Sequence, residues 1–340
     1  MYLSRFARVR LGHFPTALER LDNLTRHLGG PEIWIKRDDC TGLATGGNKT
    51  RKLEFLVGDA LAQGADTLVT QGATQSNHVR QTAAAACKTG LRCHALLEQR
   101  VTNMGDAYST SGNVLMDDIM GCEYEERPEG LDMNAEGEAL AEKLRTQGRK
   151  PYFIPGGGSN TIGALGYVAC ANEMVQQFDD ERLTVDAIVH ATGSTGTQAG
   201  LLAGLHAMNV DIPVMGVSVR APEDKQRANV HRLAVATADL LGARGDLPQS
   251  RVAVDDTEVG GGYGQPTDAM VDAIALLARQ EGILLDPVYS GKGFAGLLSM
   301  IRRGVLTKGQ RVVFIHTGGS SALFAYGHLF SRQTAPTRAI

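Results

Sequence analysis

The chain has 340 residues, enough for about two domains of ~100–200 residues that each bury a core of their own. Its 34 lysines and arginines stand against 37 aspartates and glutamates, with no long block of either sign, which argues against nucleic acid or another polyanion as a partner. No stretch approaches ~18 uninterrupted apolar residues, and the opening "MYLSRFARVRLGHFP" scatters arginines without an apolar run or a cleavage-like site, so the expectation is a cytoplasmic protein with no membrane partner.

In chain order, "EIWIKRD" reads as the first strand, followed by the glycine-rich "TGLATGGNKTRK". That stretch has the ingredients of a phosphate-binding P-loop, but Gly47-Asn48 intervenes between Gly46 and Lys49, where the pattern needs lysine directly after glycine. Residues 50–64 then predict a helix with Leu53, Leu56, Val57, Ala60 and Leu61 on one face. The strand candidates "DTLVTQG", "RCHALLE", "CEYEERP" and "PYFIPGG" alternate with helical patterns over 76–90, 113–121 and 135–148. After them come "DAIVHATG", "VMGVSVR" and "RVVFIHTGG". Strand and helix alternating in this way predict parallel α/β sheets covered by helices. The four strands between about Leu68 and Pro155 would form a small sheet, and the remainder a larger one. The expected division is a large domain of 1–49 plus 159–340 and a small α/β domain of 50–158, with the site in the cleft between them, at the carboxyl ends of the strands.

The five cysteines, Cys40, Cys87, Cys93, Cys122 and Cys170, are spread without a Cys-x-x-Cys or a zinc-like spacing with histidine. They read as reduced and mostly buried, and no metal is expected. Phosphate chemistry points elsewhere. A strand at 186–190 runs into Thr192-Gly193-Ser194-Thr195-Gly196-Thr197, with a helix expected from about Gln198. Exposed N–H groups, two glycines and several hydroxyls suit a phosphate dianion, while an ordinary helix cap would look the same. No lysine follows this loop, which suits a monophosphate better than a nucleoside triphosphate.

Asn48 reads as an N-cap that puts Lys49 in the first helical turn. There the macrodipole, with Arg51 and Lys52 close by, would disfavour the ammonium and favour the neutral amine, the form that attacks a carbonyl carbon. The alternative is a solvated surface lysine.

A monophosphate cup with a discharged lysine suggests pyridoxal 5'-phosphate. Here the chain resembles the fold type II, tryptophan-synthase-β-like pyridoxal enzymes, through "IKRDD", "GGNKTRKLEFL", "QSNHVRQTAA", "GALGY", "ATGSTGT", "LLDPVYSGK" and "HTGG". Within them it is similar to the branch of 1-aminocyclopropane-1-carboxylate deaminase, D-cysteine desulfhydrase and L-cysteate sulfo-lyase. The resemblance implies two open parallel twisted sheets and at least a homodimer. It makes Lys49 the lysine that binds the cofactor covalently and Thr192–Thr197 the phosphate cup. Lys52 would approach the phosphate, and Asn77 would face the phenolic oxygen.

Ser76, Asn77 and His78 stand where a helix should begin, so their side chains and free N–H groups would hold a substrate carboxylate, with Ser76 also a candidate N-cap. Tyr263 and Tyr289 match two tyrosines of the family's active site; an ordinary buried tyrosine is the alternative for each. Ser290 stands where the deaminase has glutamate, and Thr317 where it has an aliphatic residue. Thr317 offers the pyridine nitrogen only a neutral hydroxyl, which disfavours ring opening and favours β-elimination with a good leaving group. The wording resembles the L-cysteate sulfo-lyases most, which implies an α,β-elimination lyase releasing sulfite, with the desulfhydrases next. A nucleotide-binding α/β protein without chemistry is the alternative from another class; it accounts for the cup but not for Lys49 and the tyrosines.

Overall fold

The computed structural model describes residues 2–102 and 104–330. Among them are ten strands: β1 (Leu18–Arg20), β2 (Glu32–Lys36), β3 (Thr67–Ala73), β4 (Arg92–Gln99), β5 (Glu123–Pro128), β6 (Pro151–Ile154), β7 (Ala187–Thr192), β8 (Val214–Ser218), β9 (Val252–Asp255) and β10 (Arg311–Ile315). They form a six-stranded sheet in the order β1-β2-β10-β7-β8-β9 and a four-stranded sheet in the order β5-β4-β3-β6. The eight expected strands are all present. The two that sequence reading omitted, β1 and β9, are an edge of three residues and an edge of four, too short for a clear pattern. β1 also pairs with β2 antiparallel, so the larger sheet is parallel except at that edge.

Both sheets are covered on both faces, as the near-continuous apolar strands require. Along β10 the pleat sends Val312 and Phe314 into one core, with Ile33, Ile35, Val189 and Phe294. It sends Val313 and Ile315 into the other, with Ile188, Leu201, Leu205 and Tyr167. In the smaller sheet, Leu68, Ala95, Leu97 and Ile154 pack under Leu53, Leu56, Val57 and Val79. Val69 and Leu96 face Leu140 and Leu144 on the far side.

The helix Lys49–Ala62 is buried on more than its apolar stripe. Leu53, Leu56, Val57 and Ala60 are buried as expected, whereas Leu61 is 41% exposed. Four charged residues of the helix, Lys49, Arg51, Lys52 and Glu54, are buried instead. Arg51 is paired with Asp38 at 2.7 Å and Glu173 at 2.9 Å, and Glu54 with Arg8 at 2.6 Å. Lysines 49 and 52 have no such carboxylate partner among the described residues. Buried, unpaired cations are costly, so their presence marks a site rather than a scaffold. Of the cysteines, Cys93, Cys122 and Cys170 are buried, but Cys40 and Cys87 are exposed.

Candidate active site

The loop that resembled a P-loop serves to place Lys49. Ala44, Thr45, Gly46 and Gly47 all have positive φ, and Arg80 ties the loop down by donating to the carbonyl oxygens of Ala44 and Gly46 (3.1 Å for the latter) and to Thr45 Oγ1 at 3.0 Å. At Gly46 (φ 77°) a Cβ would collide with the Asp39 carbonyl oxygen, so only glycine fits. The loop delivers Lys49 as the first residue of its helix. Asn48 does not cap with its side chain; its Nδ2 donates to Thr197 Oγ1 at 3.1 Å and so fastens the loop to the cup.

Lys49 Nζ makes no hydrogen bond to a described residue, and the side chain lines two adjoining cavities. Burial pushes its amine down to about 8 from 10.5, against the opposing pull of Asp286. Burial is therefore the cause, rather than the neighbouring cations of the sequence argument: Arg51 is neutralised by Asp38 and Glu173. Since only the neutral amine attacks a carbonyl, pyridoxal phosphate incorporation into the apoenzyme should quicken with pH up to about 8 and then level off, where an ordinary lysine would keep gaining to beyond 10. Stopped-flow absorbance across that range checks this; a rate still climbing at pH 10 would contradict the assignment.

The cup lies at the carboxyl end of β7. Thr195 sits at φ 43°, an unfavourable value for threonine, and the following helix begins at Gly196, two residues before the expected start. The N–H groups of Gly193, Ser194, Thr195 and Thr197 bond to no described residue. Gly196 N–H donates to Ser159 Oγ at 3.2 Å. Lys52 Nζ donates to Gly157 O at 3.1 Å and would lie 3.0 Å from a Cβ at Gly196. Gln226 Nε2 donates to Thr192 Oγ1 at 2.9 Å, holding the cup from behind. Free N–H groups and hydroxyls facing one small space, with the buried Lys52 amine behind Gly196, match a phosphate dianion.

Opposite the cup, Ser76 caps the helix Asn77–Thr89 by accepting from Val79 N–H at 3.2 Å, and the N–H groups of Asn77 and His78 bond to no described residue. Asn77 Oδ1 accepts from Asn113 Nδ2 at 2.9 Å, and Asn77 and Thr317 line the same cavity as Lys49 and the cup. The Thr70 hydroxyl donates to Ile154 O, so His78 Nε2 donates to it at 2.8 Å, leaving buried His78 Nδ1 without a partner among the described residues. Burial, then the two lysines, hold the His78 imidazole well below its usual range, hence neutral. The Tyr263 and Tyr289 hydroxyls lie 2.6 Å apart, their rings edge to face. Burial raises both phenols, Tyr289 the more strongly, so both are protonated donors at neutral pH. Ser290 turns away: its hydroxyl donates to Asp286 Oδ1 at 2.7 Å, and Thr317 alone of the two lines the cavity.

Sequence reading passed over Asp286, which accepts the N–H groups of Val288, Tyr289 and Ser290 at 2.9, 2.9 and 2.6 Å and thereby sets Tyr289. The signal was an acid four residues ahead of a serine at a helix start. It also passed over Ser159, and over Arg100, Arg220 and Arg232, which line the outer cavity of about 340 Å³. Arg100 and Arg220 follow the strands β4 and β8 almost directly, where ligands of such sheets are held. Together the inner cavity offers an anion cup, a free amine lowered to about 8, a neutral hydroxyl at Thr317 and the Asn77 amide, which suits a phosphorylated aromatic aldehyde.

A family model described as pyridoxal-phosphate dependent enzyme matches residues 9–318. The chain is similar to D-cysteine desulfhydrase of Salmonella typhi, 46% identical over 325 residues that cover 96% of this chain and 98% of the relative. It is also similar to the solved structure of an ACC deaminase homologue, with a TM-score of 0.87, 40% identity and 96% of both chains covered. An O-ureido-L-serine synthase structure shares the fold, with a TM-score of 0.65 at 18% identity.

Proposed function

The chain belongs to the pyridoxal-phosphate-dependent enzymes, and from that premise we propose that it is a carbon–sulfur lyase that takes a cysteine-type amino acid by α,β-elimination to pyruvate and ammonia. The observation that carries this reading is the buried, unpartnered Lys49 amine between an inner cavity with an anion cup and an outer one open to substrate. Bound pyridoxal phosphate would supply an electron sink beside the substrate Cα. Lys49 would hold it, with Lys52 and Thr192–Thr197 at the phosphate, Asn77 at the phenolic oxygen and Thr317 at the ring nitrogen. The Asn77 and His78 N–H groups and the Ser76 hydroxyl would hold the substrate carboxylate. Displaced by the substrate amine, Lys49 Nζ would take the proton from Cα. The Tyr263–Tyr289 pair, protonated and linked, would steady the departing β-substituent. 2-Aminoacrylate would then leave and hydrolyse in water.

Two sulfur substituents fit. The names of the relatives support D-cysteine and sulfide more directly than L-cysteate and sulfite. L-Cysteate, the substrate that the wording of the sequence suggests, is favoured by the outer cavity, lined by three arginines and by no carboxylate among the described residues. Either way a neutral Thr317 argues against opening the cyclopropane ring. Pyruvate, sulfide and sulfite measured side by side from D-cysteine, L-cysteine, D-cysteate and L-cysteate should reveal turnover of at least one of them, and 1-aminocyclopropane-1-carboxylate should give negligible ammonia. Turnover of the cyclopropane substrate alone would reject the reading. We place this chemistry in a cleft between domains of 50–158 and 1–49 plus 159–340, in a cytoplasmic homodimer; no described helix is long and apolar enough to cross a membrane.

A further inference from the structure

We propose that Arg100, Arg220 and Arg232 form a second anion site, separate from the carboxylate-holding start of the Asn77 helix, which selects substrates bearing a fixed negative charge on the β-substituent. The proposal deepens the carbon–sulfur lyase reading and rests on it for the substrate's identity.

The three arginines converge on one cavity from different elements. Arg100 stands one residue beyond β4 of the smaller sheet, Arg220 two residues beyond β8 of the larger, and Arg232 on the helix Glu223–Leu241. Arg100 is the inner member. Its side chain is 14% exposed, its Nε donates to Glu98, and its Cζ lies 5.3 Å from the centre of the Tyr263 ring. Nη1 and Nη2 bond to no described residue, so the terminal fork is free beside the Tyr263–Tyr289 pair. Arg220 and Arg232 are exposed and make no ion pair with a described carboxylate; Arg232 Nη2 donates only to Asn229 Oδ1 at 3.1 Å.

No aspartate or glutamate among the described residues lines this cavity. Glu98 pairs with Arg100 at Nε, which leaves Arg220 and Arg232 as uncompensated charges and the Arg100 fork as free donors, more than one α-carboxylate needs where the N–H groups at Asn77 and His78 would serve that group. A thiol or thiolate can use few donors. A sulfonate has three acceptor oxygens, stays charged at every working pH and suits planar guanidinium forks. Burial raises the Tyr263 phenol while Arg100 and Arg220 both oppose it, which places the two arginines' fields on the same ring. The charge of the leaving group would thus meet cations on both sides of the cleft.

The test uses the holoenzyme with Arg100→Gln, Arg220→Gln and, as a charge-preserving control, Arg100→Lys. The ratio of kcat/KM for cysteate to that for cysteine should fall about 100-fold in Arg100→Gln and less in Arg220→Gln, with Arg100→Lys restoring part of it. Calorimetric binding of 3-sulfopropanoate, which lacks the amine and cannot react, is measured alongside propanoate. The wild type should prefer the sulfonate, and the glutamine variants should lose the preference while binding propanoate as before. An unchanged preference in both variants, or equal weakening of both ligands, overturns the anion site. If no cysteine-type compound gives pyruvate, the lyase reading fails, yet the binding arm still decides the anion site. Arg220→Gln, at an exposed side chain, carries the test should Arg100→Gln fail to fold.

Discussion

Lys49→Ala should abolish covalent cofactor binding and lower turnover by about 10⁴-fold or more while leaving the fold intact. The reason is local. Lys49 packs against two cavities and makes no hydrogen bond to a described residue, so the alanine variant breaks no contact that holds the helix. Removing an unpaired buried amine should even favour folding slightly, because the protein no longer bears its desolvation. Circular dichroism and thermal unfolding of the apo forms, beside pyruvate assays of the loaded ones, check both halves. A variant that unfolds, or one that keeps more than a trace of activity, would contradict the assigned role.

Gly196→Val should weaken pyridoxal phosphate retention by about 100-fold, the loss of one or two charge-assisted hydrogen bonds. A Cβ at Gly196 would stand 2.9 Å from Ser159 Oγ and 3.0 Å from Lys52 Nζ, so the cup and the Lys52 amine cannot both keep their places. Gly193→Val should act in the same direction but more weakly, since its Cβ meets the Val219 side chain at 3.1 Å rather than a polar group of the cup. Cofactor titration of the two apoproteins measures the effect. Wild-type affinity in both would move the phosphate site elsewhere. The relative activities of loaded Gly196→Val on cysteine-type substrates should change far less than cofactor affinity, because Gly196 does not line the outer cavity that holds the arginines.

The parts of this architecture legible in sequence were those fixed by local pattern. The apolar runs of β2, β3, β7 and β10 announce buried parallel strands, and Gly-rich ends of strands mark where a ligand sits. The cup was readable because its ingredients are contiguous from Thr192 to Thr197. Lys49 was readable as an amine of lowered pKa, although for the wrong cause: spacing suggested dipole and neighbouring charge, whereas the structure neutralises Arg51 with Asp38 and Glu173 and leaves burial to act. Long-range pairings of this kind join residues 13 and 122 positions apart, and no local pattern carries them. For the same reason the arginines escaped notice. Arg100, Arg220 and Arg232 come from three elements, and only the folded chain brings them to one cavity. Ser290 shows the converse: a residue aligned with the site by resemblance has its hydroxyl spent on Asp286.

Three lysines among the described residues are buried with depressed pKa, and they separate the central claim from its rivals. Lys52 donates to Gly157 O beneath the cup, and Lys292 donates to the carbonyl oxygens of Val259 and Gly262, while Lys49 alone of the three lines the cavities. Reduction of the holoenzyme with borohydride followed by peptide mapping therefore tests the account most directly. The account predicts loss of the visible absorption band and a pyridoxyl group on Lys49 alone; a pyridoxyl group on Lys52 or Lys292, or none on any lysine, would contradict it.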